Sequence, residues 1–197
     1  MTIERKNFPL HSPFAITGYT FYELKSVWVT LEDQGQRGRG EGVGIYYLGD
    51  DQDKMFADLE AIRPSVEAGA TRQDINKLMP ATGARNALDC AYWDLECKLQ
   101  QTSIWDLVGI KPEILTTVAT IGIGTPSEMA RRAKELSEFP HLKIKLSSDG
   151  PVERLSAIRT ARPDAKLVVD VNQGWNLSQL ESFLPALEEL RIDMIEQ

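Results

Sequence analysis

Apolar and polar residues alternate through much of the first fifty positions, which is the period of half-buried β-strands. The segment 26–32 alternates strictly, a glycine-bearing turn follows over 33–38, and a second strand-like segment covers 40–47. Two such segments separated by a short polar turn are typical of antiparallel neighbours. The pattern therefore predicts a β meander in this part of the chain.

Between residues 52 and 101 the apolar positions recur at the spacing of amphipathic helices. The predicted helices cover three segments: 53–62, 71–78 and 86–99. In the last of these, residues four positions apart form one apolar stripe: Ala87, Ala91, Leu95 and Leu99. Cys90 and Trp93 are expected to widen that buried face.

From about residue 115 strands and helices alternate. Strands are predicted at 115–121, 141–146, 165–171 and 192–196, and helices at 126–138, 151–160 and 178–190. Capping boxes are predicted at Thr125–Glu128 and Ser178–Glu181. This alternation implies parallel strands joined by helical crossovers. Four such strands make half of an eight-stranded barrel of the TIM type.

Composition removes several classes of function. The 29 acidic residues outnumber the 22 basic ones, and the net charge of −7 disfavours a nucleic-acid-binding protein. No apolar run is long enough to span a membrane. The first residues lack the apolar core of a secretory signal, so a cytoplasmic protein is expected. With only two cysteines and two histidines, zinc sites and Ser-His or Cys-His catalysis are disfavoured. An enzyme would therefore use Lys, Asp or Glu as its acid–base groups.

Polar side chains recur at the ends of the predicted parallel strands. Lys143 and Lys145 share one face of their strand, and Asp170 shares a face with Asn172 on the next. Glu196 ends the fourth strand. In barrel enzymes this edge of the sheet carries the active site.

These residue types indicate a specific chemistry. Carboxylates without cysteine or histidine suit a hard divalent cation such as Mg²⁺. A buried lysine beside the cation can act as a base, which favours proton abstraction α to a carboxylate. Taken singly, each residue has a structural explanation instead, such as a solvated strand face or a turn cap. The repeated placement at successive strand ends favours the functional interpretation.

Several motifs together resemble the enolase superfamily, in its muconate-lactonising subgroup, and most closely the dipeptide epimerases of the L-Ala-D/L-Glu type. The motifs are the helix 86–95 with the segment 105–109, the Lys-x-Lys strand 142–145, and the segments 170–172 and 195–197. The resemblance implies an α+β capping domain over residues 1–110 and the first half of a (β/α) barrel over 111–197.

The resemblance also implies roles for individual residues. Lys145 would be an acid/base group, and Lys143 would support it and contact the substrate carboxylate. Asp170 and Glu196 would bind Mg²⁺, and Thr120 would contact the substrate. The loops 14–18 and 44–47 would close over the substrate side chain. The implied reaction is Mg²⁺-dependent epimerisation of a dipeptide, a small-molecule substrate, through an enediolate intermediate.

One departure from the family is large. The third carboxylate ligand and the opposing lysine of the family belong to later strands, beyond residue 197. We therefore expect either a fragment of a longer enzyme or a missing half supplied elsewhere. A cycloisomerase or an o-succinylbenzoate synthase, which is a lyase, remains an alternative, as does a non-catalytic fragment. Homo-oligomerisation also stays open.

Overall fold

The computed structural model describes residues 1–197. The strands are β1 (Thr2–Ile16), β2 (Tyr19–Asp33), β3 (Gln36–Val43), β4 (Ala119–Ile121), β5 (His141–Lys145), β6 (Lys166–Asp170) and β7 (Ile192–Glu196). The α-helices are α1 (Gln52–Glu67), α2 (Arg72–Leu78), α3 (Gly83–Leu99), α4 (Ile104–Val108), α5 (Pro126–Glu135), α6 (Pro151–Ala161) and α7 (Leu177–Glu189). None of these helices combines the length and apolar character that a membrane span requires.

The chain divides into two compact units. The first comprises Met1–Pro9 and Glu23–Glu113, and the second comprises Leu10–Tyr22 and Ile114–Gln197. The segment Leu10–Tyr22, which the sequence analysis assigns to the first domain, thus groups with the parallel strands. The domain boundary at 110/111 stays a prediction.

Strands β1, β2 and β3 form a three-stranded sheet in that order. Gln34 and Gly35 form the turn between β2 and β3, and both have positive φ, 47° and 77°. Such a two-residue turn matches the twist of an antiparallel hairpin. The predicted return strand over 40–47 is too long, because β3 ends at Val43 and a 3₁₀ helix occupies Tyr46–Leu48. The chain folds back at Gly44, where an added Cβ would stand 1.7 Å from the Asp50 carbonyl oxygen.

Helix α3 packs directly on β3 because both surfaces are made of small residues. A Cβ added at Gly40 would stand 1.9 Å from the Ala87 carbonyl oxygen. The predicted burial of Cys90 is wrong, since its side chain is exposed. On a helix with 3.6 residues per turn, position 90 falls just outside the arc of buried residues. That arc comprises Gly83, Ala84, Ala87, Leu88, Ala91 and Leu95.

The second unit contains a four-stranded parallel sheet in the order β4-β5-β6-β7, as the alternating pattern predicts. The predicted first strand, 115–121, is too long. β4 pairs with β5 only from Ala119, which lies opposite Leu142, so the residues before it have no strand partner. The capping box predicted at Thr125–Glu128 is confirmed, whereas the second one lies at Asn176 and Gln179 instead of at Ser178 and Glu181.

Strand β5 separates apolar and charged side chains completely. Leu142 and Ile144 are fully buried in the core that α5 and α6 cover. Lys143 and Lys145 project from the opposite face and are only partly exposed. The alternation of the sequence is therefore realised in the sheet.

A buried arginine fixes the connection that follows α5. Arg162, at the end of α6, is 5% exposed. Its guanidinium donates to the carbonyl oxygens of Leu136 and Phe139 at 2.8 and 2.9 Å, and it pairs with Asp164 at 2.8 Å. The hydrogen bond from Arg162 lowers the pKa of the Asp164 carboxyl to about 2. Carbonyls at a helix end need such donors when they are buried.

We expect Arg162→Met to lower the unfolding free energy of the second unit by about 2–4 kcal/mol, because it leaves buried carbonyls without a donor. Native-state hydrogen exchange at the amides of Leu142 and Leu167 measures this change in the sheet. Arg131→Met is the control, since its guanidinium is exposed and pairs with Glu135 on a helix surface; its effect should stay within about 0.5 kcal/mol. Equal effects of the two variants would contradict the assignment.

Candidate functional site

The register of the parallel strands places charged residues side by side. Lys145 lies opposite Asp170, and Asp170 lies opposite Glu196. Two residues earlier along β5, Lys143 lies opposite Thr120 of β4. Because these strands all run in one direction, the row Lys145–Asp170–Glu196 forms their common carboxyl end.

The ammonium group of Lys143 reaches this row from two residues earlier, so that two ammonium groups and two carboxylates form one cluster. Lys145 Nζ lies 2.5 Å from Asp170 Oδ2, and Lys143 Nζ lies 2.9 Å from the same oxygen. Lys143 Nζ also lies 2.5 Å from Glu196 Oε2. With two positive and two negative charges, the cluster is neutral as a whole.

Exposure increases from one side of the cluster to the other. The Asp170 side chain is 2% exposed, while those of Lys143 and Glu196 are 26% and 47% exposed. An ionised carboxylate is buried to this extent only when it is paired and hydrogen-bonded. Asp170 meets this condition through both lysines.

The pKa shifts follow from this pairing. Burial alone would raise the pKa of the Asp170 carboxyl, but hydrogen bonds from Lys145 and Lys143 outweigh it and hold the pKa below its usual range. Burial would likewise lower the pKa of Lys143, but the hydrogen bonds to Glu196 and Asp170 raise it above its ordinary value. Asp170 and Lys143 are therefore both charged at neutral pH.

The two carboxylates have the donor chemistry of a partial metal site. Asp170 Oδ2 and Glu196 Oε2 both contact the single ammonium of Lys143, at 2.9 and 2.5 Å. A pair of carboxylate oxygens that shares one cation suits a hard divalent ion. No group of three or more His, Cys, Asp or Glu residues is arranged to hold a metal. The residues thus fit such an ion as two of its ligands.

A turn directly after Asp170 contains Asn172, which the sequence analysis places among the polar strand ends without a role of its own. Asn172 Oδ1 accepts a hydrogen bond from Lys145 Nζ at 3.1 Å, and the Asn172 amide donates to Asp170 Oδ1 at 3.0 Å. The signal for this role was the position of Asn172 on the same strand face as Asp170.

The remaining predicted residues take different places. Thr120 is exposed and lies next to Lys143 in the register, but no hydrogen bond joins it to the cluster. The loop 14–18 belongs to the second unit, where Ala15 accepts a hydrogen bond from the amide of Ile123 at 3.0 Å. The loop 44–47 belongs to the first unit. The catalytic, substrate-binding and metal-binding roles inferred from the sequence stay predictions.

Comparison with known families identifies the chain. Residues 1–109 match the model of the mandelate racemase / muconate lactonizing enzyme N-terminal domain. The chain belongs to the mandelate racemase / muconate lactonizing enzyme family. Residues 128–197 match the enolase C-terminal domain-like model, which covers three of the four strands that form the cluster's sheet. The family and the half-barrel fold inferred from the sequence are confirmed.

Individual relatives have more specific descriptions than the family models. The chain is 42% identical over 193 residues to L-Ala-D/L-Glu epimerase of Escherichia coli K12, a match that covers 96% of the chain and 60% of the relative. It superposes with TM-score 0.94, at 35% identity, on an enolase family member from Agrobacterium tumefaciens with bound sodium and L-Ala-L-Glu, covering 100% of the chain and 60% of that protein. A dipeptide epimerase from Enterococcus faecalis V583, complexed with Mg and L-Leu-L-Tyr, gives TM-score 0.89 at 28% identity, with 100% and 59% covered. The chain thus spans about 60% of the length of these relatives.

The contact between Lys143 and Asp170 predicts how the pKa of the Asp170 carboxyl changes when the lysine is removed. Because Lys143 stabilises the ionised form of Asp170, Lys143→Met should raise the pKa of the Asp170 carboxyl. ¹³C NMR of the Asp170 side-chain carbon measures the titration midpoint. Lys166→Met, which removes an exposed lysine from the same sheet, is the control and should leave that midpoint unchanged. A midpoint unaffected by Lys143→Met would show that the contact does not control Asp170.

The sign of the effect on stability follows from the same shift. The folded-state pKa of Asp170 is depressed, so its stabilising contribution is present above the unfolded-state pKa, about 3.9, and is lost as the pH falls through the folded-state value. In the Lys143→Met protein this loss should begin at higher pH.

Proposed function

We propose that this protein is the N-terminal part of an isomerase that epimerises dipeptides by removing a proton α to a carboxylate, through an enediolate intermediate. The observation that carries the proposal is the pairing of Lys145 with the buried Asp170 at the carboxyl end of the sheet, 2.5 Å apart. A lysine held at a strand end by a buried carboxylate is a candidate for proton transfer to a substrate above the sheet.

Each residue of the cluster has a proposed part in that reaction. In its neutral amine form, the Nζ of Lys145 removes the α-proton on one face of the substrate, and the resulting ammonium returns it in the reverse direction. Lys143 presents its ammonium group to the substrate carboxylate, which attracts the substrate and orients it. Thr120, next to Lys143 in the register, provides a hydroxyl on the same face of the sheet.

A divalent ion fits the proposal as a partner of the two carboxylates. Asp170 and Glu196 would hold Mg²⁺, because both offer oxygens toward one shared cation position. When bound, Mg²⁺ stabilises the negative charge that develops on the substrate carboxylate. Lys143, whose ammonium contacts both carboxylates, would then be released toward the substrate.

The relatives favour epimerisation over the alternatives. The relatives named above are a dipeptide epimerase of E. coli and proteins whose structures contain dipeptides, one of them with Mg. A cycloisomerase or a lyase of the same superfamily has no such support in this comparison. Epimerisation also requires a proton donor on the opposite face of the α-carbon. We propose that this donor lies in a region equivalent to the part of the relatives that the match does not cover.

The proposed metal ligands can be tested by binding. Asp170→Asn and Glu196→Gln should each weaken Mg²⁺ binding to the full-length protein at least tenfold, because each removes one charged ligand. Isothermal titration calorimetry measures the affinity. Glu153→Gln serves as the control, since its carboxylate lies in the first turn of α6, outside the cluster. Unchanged affinity in both cluster variants would refute the metal assignment.

The proposed base can be tested by isotope exchange. Lys145→Ala in the full-length protein should abolish epimerisation but leave solvent deuterium exchange with one of the two epimers, the one whose α-proton faces the other base. Proton NMR of each epimer in deuterium oxide distinguishes the two faces, and Lys166→Ala is the control. Equal residual exchange from both epimers, or full epimerisation, would show that Lys145 is not a face-specific base.

A further inference from the structure

The tip of the β1–β2 hairpin places one hydroxyl group against two strand ends. Thr17 precedes Gly18, which has a φ of 77° in the turn between the strands. Thr17 Oγ1 lies 3.0 Å from the Leu146 carbonyl oxygen and 2.9 Å from the Val171 carbonyl oxygen. A hydroxyl carries a single proton, so Thr17 shares it between the two carbonyls in a three-centre hydrogen bond.

These two carbonyls lie immediately after the charged row of the site. Leu146 follows Lys145, and Val171 follows Asp170. The sheet hydrogen bonds end here, with the Leu146 amide donating to Asp170 and the Val171 amide donating to Glu196. Thr17 therefore supplies a donor where the ladder between the strands stops.

The turn that begins at Val171 has an unusual backbone. Asn172 and Gln173 both have positive φ, 44° and 64°, and the Gly174 amide closes the turn by donating to the Val171 carbonyl at 2.8 Å. Residues with side chains rarely adopt this conformation, and two in succession are rarer still. Such a backbone persists only where its surroundings fix it.

The same turn orients the site. Its first central residue, Asn172, accepts the hydrogen bond from Lys145 Nζ and donates its amide to Asp170 Oδ1. If Asn172 left the left-handed region, both contacts would be lost. Lys145 would then keep only the hydrogen bond to Asp170.

The hairpin tip and the turn are in close contact. A Cβ added at Gly174 would stand 3.0 Å from Thr17 Oγ1 and 2.7 Å from the Val171 carbonyl oxygen. The position thus leaves no room for a side chain between the tip and the turn. The tip is also attached independently, through the hydrogen bond between the Ile123 amide and the Ala15 carbonyl.

We propose that Thr17 is a positioning residue of the site. Its hydroxyl holds the turn Val171–Gly174 in the left-handed conformation, and through that turn it fixes Asn172 against Lys145 and Asp170. The connection to the turn stands on the geometry alone, whereas the connection to catalysis rests on the proposed function.

Amide hydrogen exchange in the full chain tests the first connection. Thr17→Val keeps the shape of the side chain but removes the proton. We expect exchange at the amides of Asn172 and Gly174 to become about tenfold faster, as the loss of one hydrogen bond allows, while the Ile123 amide keeps its rate. Thr17→Ser should restore the original rates. Thr20→Val, in the same hairpin, is the matched control, since the Thr20 hydroxyl makes no hydrogen bond, and it should change none of these rates.

A second variant reaches the same contact from the other side. Gly174→Ala should push the turn away from Thr17 and accelerate exchange at Asn172 to a similar extent. If the tip of the Thr17→Val protein detaches altogether, the Ile123 amide will exchange faster as well. The test of the contact is then the exchange rate of the Asn172 amide in the Gly174→Ala protein, provided that its Ile123 amide keeps the original rate. Unaltered exchange at Asn172 in both variants would overturn the proposal.

Kinetics of the full-length enzyme test the second connection. A positioning role predicts that Thr17→Val lowers kcat at least tenfold with KM changed less than twofold, and that Thr17→Ser restores kcat. An unchanged kcat together with faster exchange at Asn172 would overturn the catalytic part. If the wild-type enzyme epimerises no dipeptide, the proposed function fails, and the exchange rates alone judge the role of Thr17 at the turn.

Discussion

The burial of the Asp170 carboxylate is the constraint on which the site depends. A charge that is 2% exposed needs opposite charges within contact distance, and Lys145 and Lys143 provide them. Both lysines reach it only because β5 and β6 pair in one register. The fully buried Leu142 and Ile144 lock that register, since a slip by one residue would move the lysines into the core. The register that buries Leu142 and Ile144 is therefore also the register that brings both lysines to Asp170.

The same cluster explains how one set of residues could serve both a cation and an anion. Its charges cancel as long as Lys143 contacts both carboxylates. On the proposed function, a divalent ion would balance the two carboxylates in place of the lysines, and Lys145 would act in its neutral form, which leaves Lys143 as one uncompensated positive charge on the face of the sheet. A substrate carboxylate would balance that charge, so cation and substrate binding would favour each other. The arrangement needs no large movement, because Lys143 is 26% exposed and its ammonium sits on a flexible stem.

Features that depend on residues close together in the sequence could be predicted, whereas features that depend on contacts between distant residues could not. The strand alternation, the parallel order and the capping box at Thr125 depend on residues within one or two turns or pleats, and the structure has all three. The structure differs from the prediction, or adds to it, where contacts between distant residues determine strand length or burial. β4 is short because only Ala119–Ile121 pair with β5. The burial of Arg162, for which the sequence made no prediction, follows from the carbonyls of α5 and the loop after it. The contact between Asn172 and Lys145 joins two strands through a left-handed turn that no local motif announces.

The tip of the β1–β2 hairpin is attached to the ends of the parallel strands by few side-chain hydrogen bonds. Residues 10–22 precede the parallel strands by about a hundred positions along the chain, yet they group with those strands in space. Their hydrogen bonds to the strand ends run through one backbone carbonyl, at Ala15, and one hydroxyl, at Thr17. A backbone hydrogen bond places few demands on the neighbouring side chains, so we expect substitutions elsewhere in the tip to leave the register of Lys145, Asp170 and Glu196 unchanged. Thr17 is the exception, because its side chain itself makes the contact that reaches the charged row.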